Sequence, residues 1–394
     1  MTTLNENADI SVLITSPDRS RNDMCPGAIR LHNAQDGAIG RVRFPGGRVL
    51  AQQWQDISRI STNLGDGTIH ITTRGNLQFR GVSDDAKFLA AVEDAGFLPS
   101  RPHDKIRNIL ASPLDHDLWP LVTALDNALL ANDTVTGLSG RTLFGIDGGS
   151  GDVMSRRPDF GVRRSEEGFQ LILAGQLQPY IITDDNQVAP LLTKAAALWQ
   201  TSRGNHWRLR ENPTIIASIV SAIADAPGVE KHDSIDIQES PQRQFRPIGW
   251  IETGNPESRT VSLGAGLRFG FTSAKVAKIL SVIGATTTIT PWASLVIHDI
   301  PEHDADAVLR VLAPMGLIFD ERSPWLRITA CTGLPGCAKS LSHTQQDAAN
   351  LAQSEKIPAG LIHFSGCERR CGHPLSSHTE YVATGDGEYE VTLR

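Results

Sequence analysis

Four cysteines in two close pairs carry the clearest chemistry of this chain. Cys331 and Cys337 stand in ACTGLPGC, and Cys367 and Cys371 in SGCERRC. Thiolates are soft ligands, and four of them in Gly-rich loops suit an iron–sulfur cluster. Structural zinc is the alternative; it more often draws its cysteines from knuckles with two to four intervening residues, whereas five and three residues separate the members of these pairs. Disulfides need an oxidising compartment. The N-terminus, MTTLNENADISVLITSPDRS, lacks the basic and apolar regions of a secretory signal, and no stretch is apolar for long enough to span a bilayer. A cytoplasmic chain with reduced thiols is expected. The fifth cysteine, Cys25 in CPG, stands apart, and a buried structural thiol and a redox role both fit it.

Arginine is the second resource. The formal net charge of the 394 residues is -7, which argues against a nucleic-acid-binding surface. Yet Arg41, Arg43, Arg74, Arg80, Arg107 and Arg141 gather in the first part of the chain beside Gly-rich turns. A planar guanidinium grips a carboxylate through two parallel hydrogen bonds, so this grouping suits a small polycarboxylate. Arg74 and Arg107 each fall at the end of a predicted strand. Strand alternation would put Arg74, Asn76 and Gln78 on one side, with Asn76 and Gln78 able to orient a carboxylate or an oxygen species.

The elements that must position these groups come twice. GRVRF reads as a strand, PGG as a turn, Val49 to Leu64 as a helix, TIHITTR as a strand, and DDAKFLAAVEDAGF as a helix closed by Gly96. The order returns near Val261. VSLGAGLRFG gives a strand and turn, TSAKVAKILSVIG a helix, TTTITPWASLVIHDI two strands, and DADAVLRVLAPMGL a helix ending at Gly316. Each copy leads into a polar strand, KIRNILASP and then WLRITACTG. Internal duplication is the economical reading. Between the copies lie FGIDGGSGD, a strand-like GFQLILAG and a helical DNQVAPLLTKAAALWQ. SHTQQDAANLAQ, between the cysteine pairs, reads as a helix.

At this point the motifs resemble the nitrite and sulfite reductase superfamily. RVRFPGG and HITTRGNLQFRG look like its first ferredoxin-like half-domain, and the Cys-x5-Cys and Cys-x3-Cys pairs look like its 4Fe-4S ligand set. The resemblance implies an α+β fold of two ferredoxin-like half-domains in pseudo-twofold duplication with two α/β domains, the C-terminal one carrying a 4Fe-4S cluster on Cys331, Cys337, Cys367 and Cys371. The expected boundaries are an N-terminal extension over 1–30, half-domains over 31–100 and 241–320, a reductase-type domain over 101–240, and the cluster domain over 321–394. CPG at Cys25, ACTGLPGC, SGC with CGHP, and IDGG at Ile146 are similar to the precorrin-3B synthase branch. Where sulfite reductases place a Lys-x-Lys pair, GRTLFG here has Arg141 and Leu143.

That branch implies oxygen-dependent hydroxylation of precorrin-3A at C20 with γ-lactone formation. Its partners would be precorrin-3A, dioxygen and an electron donor, either a reduced pyridine nucleotide or a reductase or ferredoxin. The resemblance also implies a further non-haem iron, for which His70, His343, His363 and His373 are the candidates by proximity to motifs. Arg41, Arg43, Arg74, Gln78, Arg80, Arg107 and Arg141 are the expected substrate contacts, with Arg74, Asn76 and Arg107 the expected catalytic set. Gly333, Gly336, Gly366 and Gly372 would bring backbone NH groups to the cluster. The competing readings are a siroheme-containing sulfite or nitrite reductase and a non-catalytic tetrapyrrole carrier.

Overall fold

A computed structural model describes residues 23–232, 246–252, 259–374 and 376–394. Most of the expected N-terminal extension, and the expected boundary at 240–241, lie outside the described residues.

The first copy runs His32–Ala34 (β1), Gly37–Val42 (β2), Arg48–Val49 (β3), Ala51–Leu64 (α1), Thr68–Ile71 (β4), Leu77–Val82 (β5) and Asp85–Asp94 (α2). Asp84 caps α2 by accepting a hydrogen bond from the Lys87 amide, the usual way an N-terminal orphan donor is satisfied. The middle domain adds Ile109–Ala111 (β6), Trp119–Leu130 (α3), Phe144–Asp147 (β7), Phe160–Ser165 (β8), Gly168–Leu173 (β9), Gln176–Ile182 (β10), Asp185–Ser202 (α4), Ile216–Ala224 (α5) and Val229–Lys231 (β11). Its sheet has the order β11-β10-β9-β8-β7-β6, parallel at β6, β7 and β8 and antiparallel beyond. Apolar residues of α3, α4 and α5 close a separate core over it.

The second copy comprises Gly249–Glu252 (β12), Thr260–Leu267 (β13), Phe271–Ser273 (β14), Ala274–Ile283 (α6), Thr287–Thr290 (β15), Ser294–Pro301 (β16), Glu302–Leu312 (α7) and Leu317–Ile318 (β17). The two copies trade strands. One sheet is β1-β2-β5-β4-β14 and the other β12-β13-β16-β15-β3, so each half completes its sheet with a short strand from the other. A single core follows, with Trp54, Ile57, Leu77 and Phe79 packed in one cluster with Leu263, Val276, Leu280 and Leu295. The Trp54 indole donates to Thr287 Oγ1 at 2.7 Å across the join.

The last domain has Ile328–Ala330 (β18), Thr344–Ala352 (α8), Ile362–Ser365 (β19), Thr379–Gly385 (β20) and Glu388–Leu393 (β21). β18, β19 and β20 are parallel, and β21 returns antiparallel.

The duplicated architecture agrees with the sequence reading, and three details differ. TIHITTR is a strand only over Thr68–Ile71, because Gly75 at φ 63 turns the chain into a hairpin with β5. Arg74 therefore sits in the turn, and Arg74, Asn76 and Gln78 do not share a strand face. KIRNILASP is extended only over Ile109–Ala111, which leaves Arg107 in the preceding loop. Val49 belongs to β3 rather than to the helix after it.

The join between the halves is tight at Gly47, where φ is 71 and a Cβ would meet the Ile289 carbonyl oxygen at 2.1 Å. Gly67 has a similar φ of 79 but open space around it. Gly67→Ala should cost about 1–2 kcal/mol, the price of the left-handed backbone alone, and Gly47→Ala clearly more. Chemical unfolding midpoints of the two variants check this.

Candidate functional site

Parallel pairing explains how cysteines thirty residues apart meet. β18 and β19 run side by side with Ala330 opposite Phe364, so the loops that follow them leave the same sheet edge. Cys331 and Cys337 lie on the first loop, and Cys367 and Cys371 on the second. The Cys331 amide donates to the Phe364 carbonyl at 2.9 Å, and the Leu341 amide to the Gly366 carbonyl at 2.8 Å. Loops at the carboxyl ends of parallel strands are where such sheets place ligands. All four cysteines line one cavity of about 250 Å³, and all are free thiols.

Four soft thiolates on the wall of one cavity are a donor set that an iron–sulfur cluster could accept. Among the described residues no group of three or more His, Cys, Asp and Glu side chains is arranged to hold a metal ion. Four thiolates around one zinc would stand roughly 4 Å apart, while a cluster spreads them around a larger body. Burial first, and then neighbouring Cys331, Cys367 and Cys337, pushes the Cys371 thiol up; a polynuclear cation would relieve that crowding of negative charge. Of the four glycines expected to bring NH groups near sulfur, Gly366 does so directly, its amide donating to Cys331 Sγ at 3.2 Å. His363, fully buried, shares hydrogen bonds with the Cys371 carbonyl at 3.2 Å and Thr329 Oγ1 at 2.8 Å, and so braces the second loop.

The same cavity is also lined by Ile39 and Arg80 of the first half-domain. Leu77 and Phe79 of β5 enter the core, so Gln78 and Arg80, in alternation with them, face the other way. Arg41, Gln78 and His70 are opposite one another across β2, β5 and β4, and Arg41 Nη2 donates to Gln78 Oε1 at 2.9 Å. One sheet face thus carries the arginine row and looks toward the cysteine loops. Rows on a strand are about 7 Å apart along its length, which sets the spacing between Gln78 and Arg80.

The expected arginines fall into two groups. Arg41, Arg43, Arg74 and Arg141 converge around Cys25, each close enough to its neighbours to perturb them electrostatically. Arg43 is 3% exposed; its Nη1 donates to the Pro26 and Arg41 carbonyls, while its Nε and Nη2 have no hydrogen-bond partner. The Nε atoms of Arg41 and Arg74 are likewise buried and unpartnered. Burial, then Arg41, brings Arg43 down to about 10, and burial, then Arg208, does the same for Arg74. Both stay charged at neutral pH. Arg141 lies at the rim, its guanidinium 4.7 Å from the Trp207 ring centroid and 3.7 Å from Asp23. Burial alone would raise Asp23, but hydrogen bonds from Ser139 and the Cys25 amide hold it below the usual range. Asp23 went unnoticed in the sequence, where nothing marks it beyond its place two residues before Cys25.

The second group is spent within the protein. Arg107 forms a bidentate pair with Asp126, both bonds 2.7 Å. Arg80 pairs with Asp36, and Asn76, 1% exposed, accepts from the Phe44 amide and donates to Asn108 Oδ1. Asn76 and Arg107 therefore act as struts of this cleft. Burial and then Asp23 push the Cys25 thiol up, so Cys25 is a neutral thiol among cations.

The protein has an α+β fold of the kind found in nitrite and sulfite reductases, with a four-thiol cavity set against an arginine-lined sheet face. Residues 32–88 match the model of the nitrite/sulfite reductase ferredoxin-like half domain. The chain is 25% identical to a ferredoxin–nitrite reductase of Synechococcus elongatus, over 85% of this chain and 74% of that protein. It is 23% identical to a precorrin-3B synthase of a Sinorhizobium species over 93% and 82%, and 22% identical to a sulfite reductase [NADPH] hemoprotein beta-component of Staphylococcus saprophyticus over 90% and 75%. The solved NirA protein of Mycobacterium tuberculosis shares the fold, with a TM-score of 0.67, 18% identity, and 90% of this chain and 73% of that one covered. The chain is thus similar to nitrite and sulfite reductases and to a precorrin-3B synthase, two of these three relatives being reductases by name. Identities of 22 to 25% do not separate the branches. Among the described residues no helix is long and apolar enough to cross a membrane.

Burial, then Arg80, lowers His70 to about 4, and burial lowers His363 to about 4 and, with His116, His298 to about 3. Each is depressed below the ordinary 6.5, so the unfolded chain binds the extra protons first. Stability should be intact above about pH 6.5 and fall as pH drops through 4. His70→Gln should flatten part of this acid limb in unfolding measured across that window.

Proposed function

We propose that this chain is a precorrin-3B synthase: a cluster-bearing oxidoreductase that hydroxylates precorrin-3A at C20 and closes the γ-lactone. The observation that carries the reading is the convergence of Arg41, Arg43, Arg74 and Arg141 around Cys25, with buried donors left unpaired, Arg41 standing on the sheet face whose Arg80 lines the four-thiol cavity. A buried guanidinium without a carboxylate is costly, and a macrocycle fringed with carboxylates supplies the missing acceptors. The precorrin-3B synthase relative supports the finer assignment, since its match spans 93% of this chain and 82% of that protein.

Cys331, Cys337, Cys367 and Cys371 would hold the cluster, which supplies one-electron transfer. Overall, dioxygen, two electrons and two protons give one hydroxyl on the substrate and one water, the electrons coming from an external donor. The chain's own contribution is binding and orientation. Arg43 and Arg41 take carboxylates at the buried end of the cleft, Gln78 fixes the Arg41 guanidinium, and Arg141 on Trp207 closes the exposed rim. Asn76 and Asn108 keep the β4–β5 turn, and with it Arg74, against the middle domain.

A siroheme-dependent reductase is the second reading, favoured by the 25% identity to the nitrite reductase. Protein purified without air distinguishes the two: intense siroheme bands would sink the first, and a broad brown absorption alone supports it. Incubation with precorrin-3A, oxygen and a reductant should yield a product heavier by one oxygen atom; binding without that gain would mark a carrier. Cys367→Ser should remove the brown chromophore, with its iron and sulfide, together with activity. Arg74→Gln should weaken precorrin-3A binding about tenfold to a hundredfold, the worth of one charge-assisted hydrogen bond, with little change in melting temperature.

A further inference from the structure

Arg80 belongs to the first half-domain but faces the cysteines of the last. Its Nε and Nη2 each donate to an Asp36 carboxylate oxygen at 2.9 Å, and Nη2 also reaches the Gly336 carbonyl, next to Cys337, at 3.3 Å. The approach is close, for a Cβ on Gly336 would stand 3.0 Å from Asp36 Oδ2. Arg80 lines the cavity and its side chain is 8% exposed, against 26% for Asp36. Arg369 lines the cavity too, but it is an exposed residue whose charge water and salt screen.

We propose that Arg80 tunes the reduction potential of the group held by the four thiolates, and that Asp36 positions Arg80 and opposes it from outside. This rests on the cluster reading above. Reduction adds a negative charge to the cavity, and a fixed cation in a low-dielectric wall stabilises the reduced state. The carboxylate lies on the wetter side of the pair, so its opposing field is the weaker one. The ion pair also latches the β1–β2 hairpin to the first cysteine loop, so the residue that sets the potential joins the arginine-bearing half-domain to the thiol-bearing domain.

The test is a dithionite titration of the purified, iron-loaded protein, followed by absorbance and electron paramagnetic resonance. Arg80→Gln should shift the midpoint to lower potential, Asp36→Asn should shift it to higher potential, and Arg80→Lys, which keeps the charge, should stay near the parent value. An unchanged midpoint in Arg80→Gln at full iron content would overturn the proposal, as would shifts of the same sign in Arg80→Gln and Asp36→Asn. Should Arg80→Gln fail to hold iron, Asp36→Asn decides alone: an upward shift supports the tuning role and none refutes it. Parent protein without iron and sulfide would instead sink the cluster reading itself, a distinct outcome.

Discussion

The reciprocal exchange of β3 and β14 is the constraint on which the rest of this molecule depends. Each half-domain lacks the edge strand its sheet requires, and each receives it from the other. An unpaired edge exposes a row of backbone donors and acceptors, so neither half is complete alone. The exchange merges the two apolar faces into one core. It also leaves the opposite face of the first sheet free of core duty. Arg41, Gln78 and Arg80 stand on that face because Leu77 and Phe79 have taken the other.

Charge on and around that face is held at a cost to stability. Arg41, Arg43 and Arg74 keep buried nitrogen atoms without acceptors, while the nearby carboxylates are mostly engaged elsewhere: Asp104 accepts from the Ala28 and Ile29 amides, and Asp159 pairs with Arg208. An orphaned buried donor costs on the order of 1–3 kcal/mol. A fold optimised for stability alone would supply a carboxylate or an apolar side chain at these places. The unpaired nitrogens of Arg41, Arg43 and Arg74 are the free donors on which the proposed anionic ligand depends. Arg107 shows the contrast, since a bidentate pair with Asp126 engages its Nε and Nη2.

Much of this was legible in the chain. The duplication showed in the order of strand, turn and helix, because amphipathic α1 and α6 and the β-branched strands obey local periodicity. The cysteine pairs showed because thiols in Gly-rich loops have few other uses. What escaped was non-local. TTR continues a β-branched run and so reads as strand through Arg74, and the turn at Gly75 overrides that local preference. Nothing local says that Arg107 meets Asp126 nineteen residues later, or that Arg80 meets Asp36 across a hairpin. Asn76 and Gln78, two residues apart, have opposite fates, one sealed between Phe44 and Asn108 and the other holding Arg41. Such partners are decided by tertiary packing, which a single sequence does not display.

Two independent devices bring the thiols and the arginines together. Parallel pairing of β18 with β19 gathers four cysteines at one sheet edge, and the alternation of β5 turns Gln78 and Arg80 to one face. Neither device alone makes a site: the cysteine loops would hold an isolated group, and the arginine row would bind any small anion. Arg80 makes them one, because it stands in the same strand face as Gln78 and in the same cavity wall as Cys331 and Cys337. A ligand bound on the arginine row therefore lies about one strand repeat from the residue that contacts the cysteine loop. That proximity is set by the strand spacing and not by any loop, so the arginine face and the cysteine loops are held together by β5 itself, without a moving part.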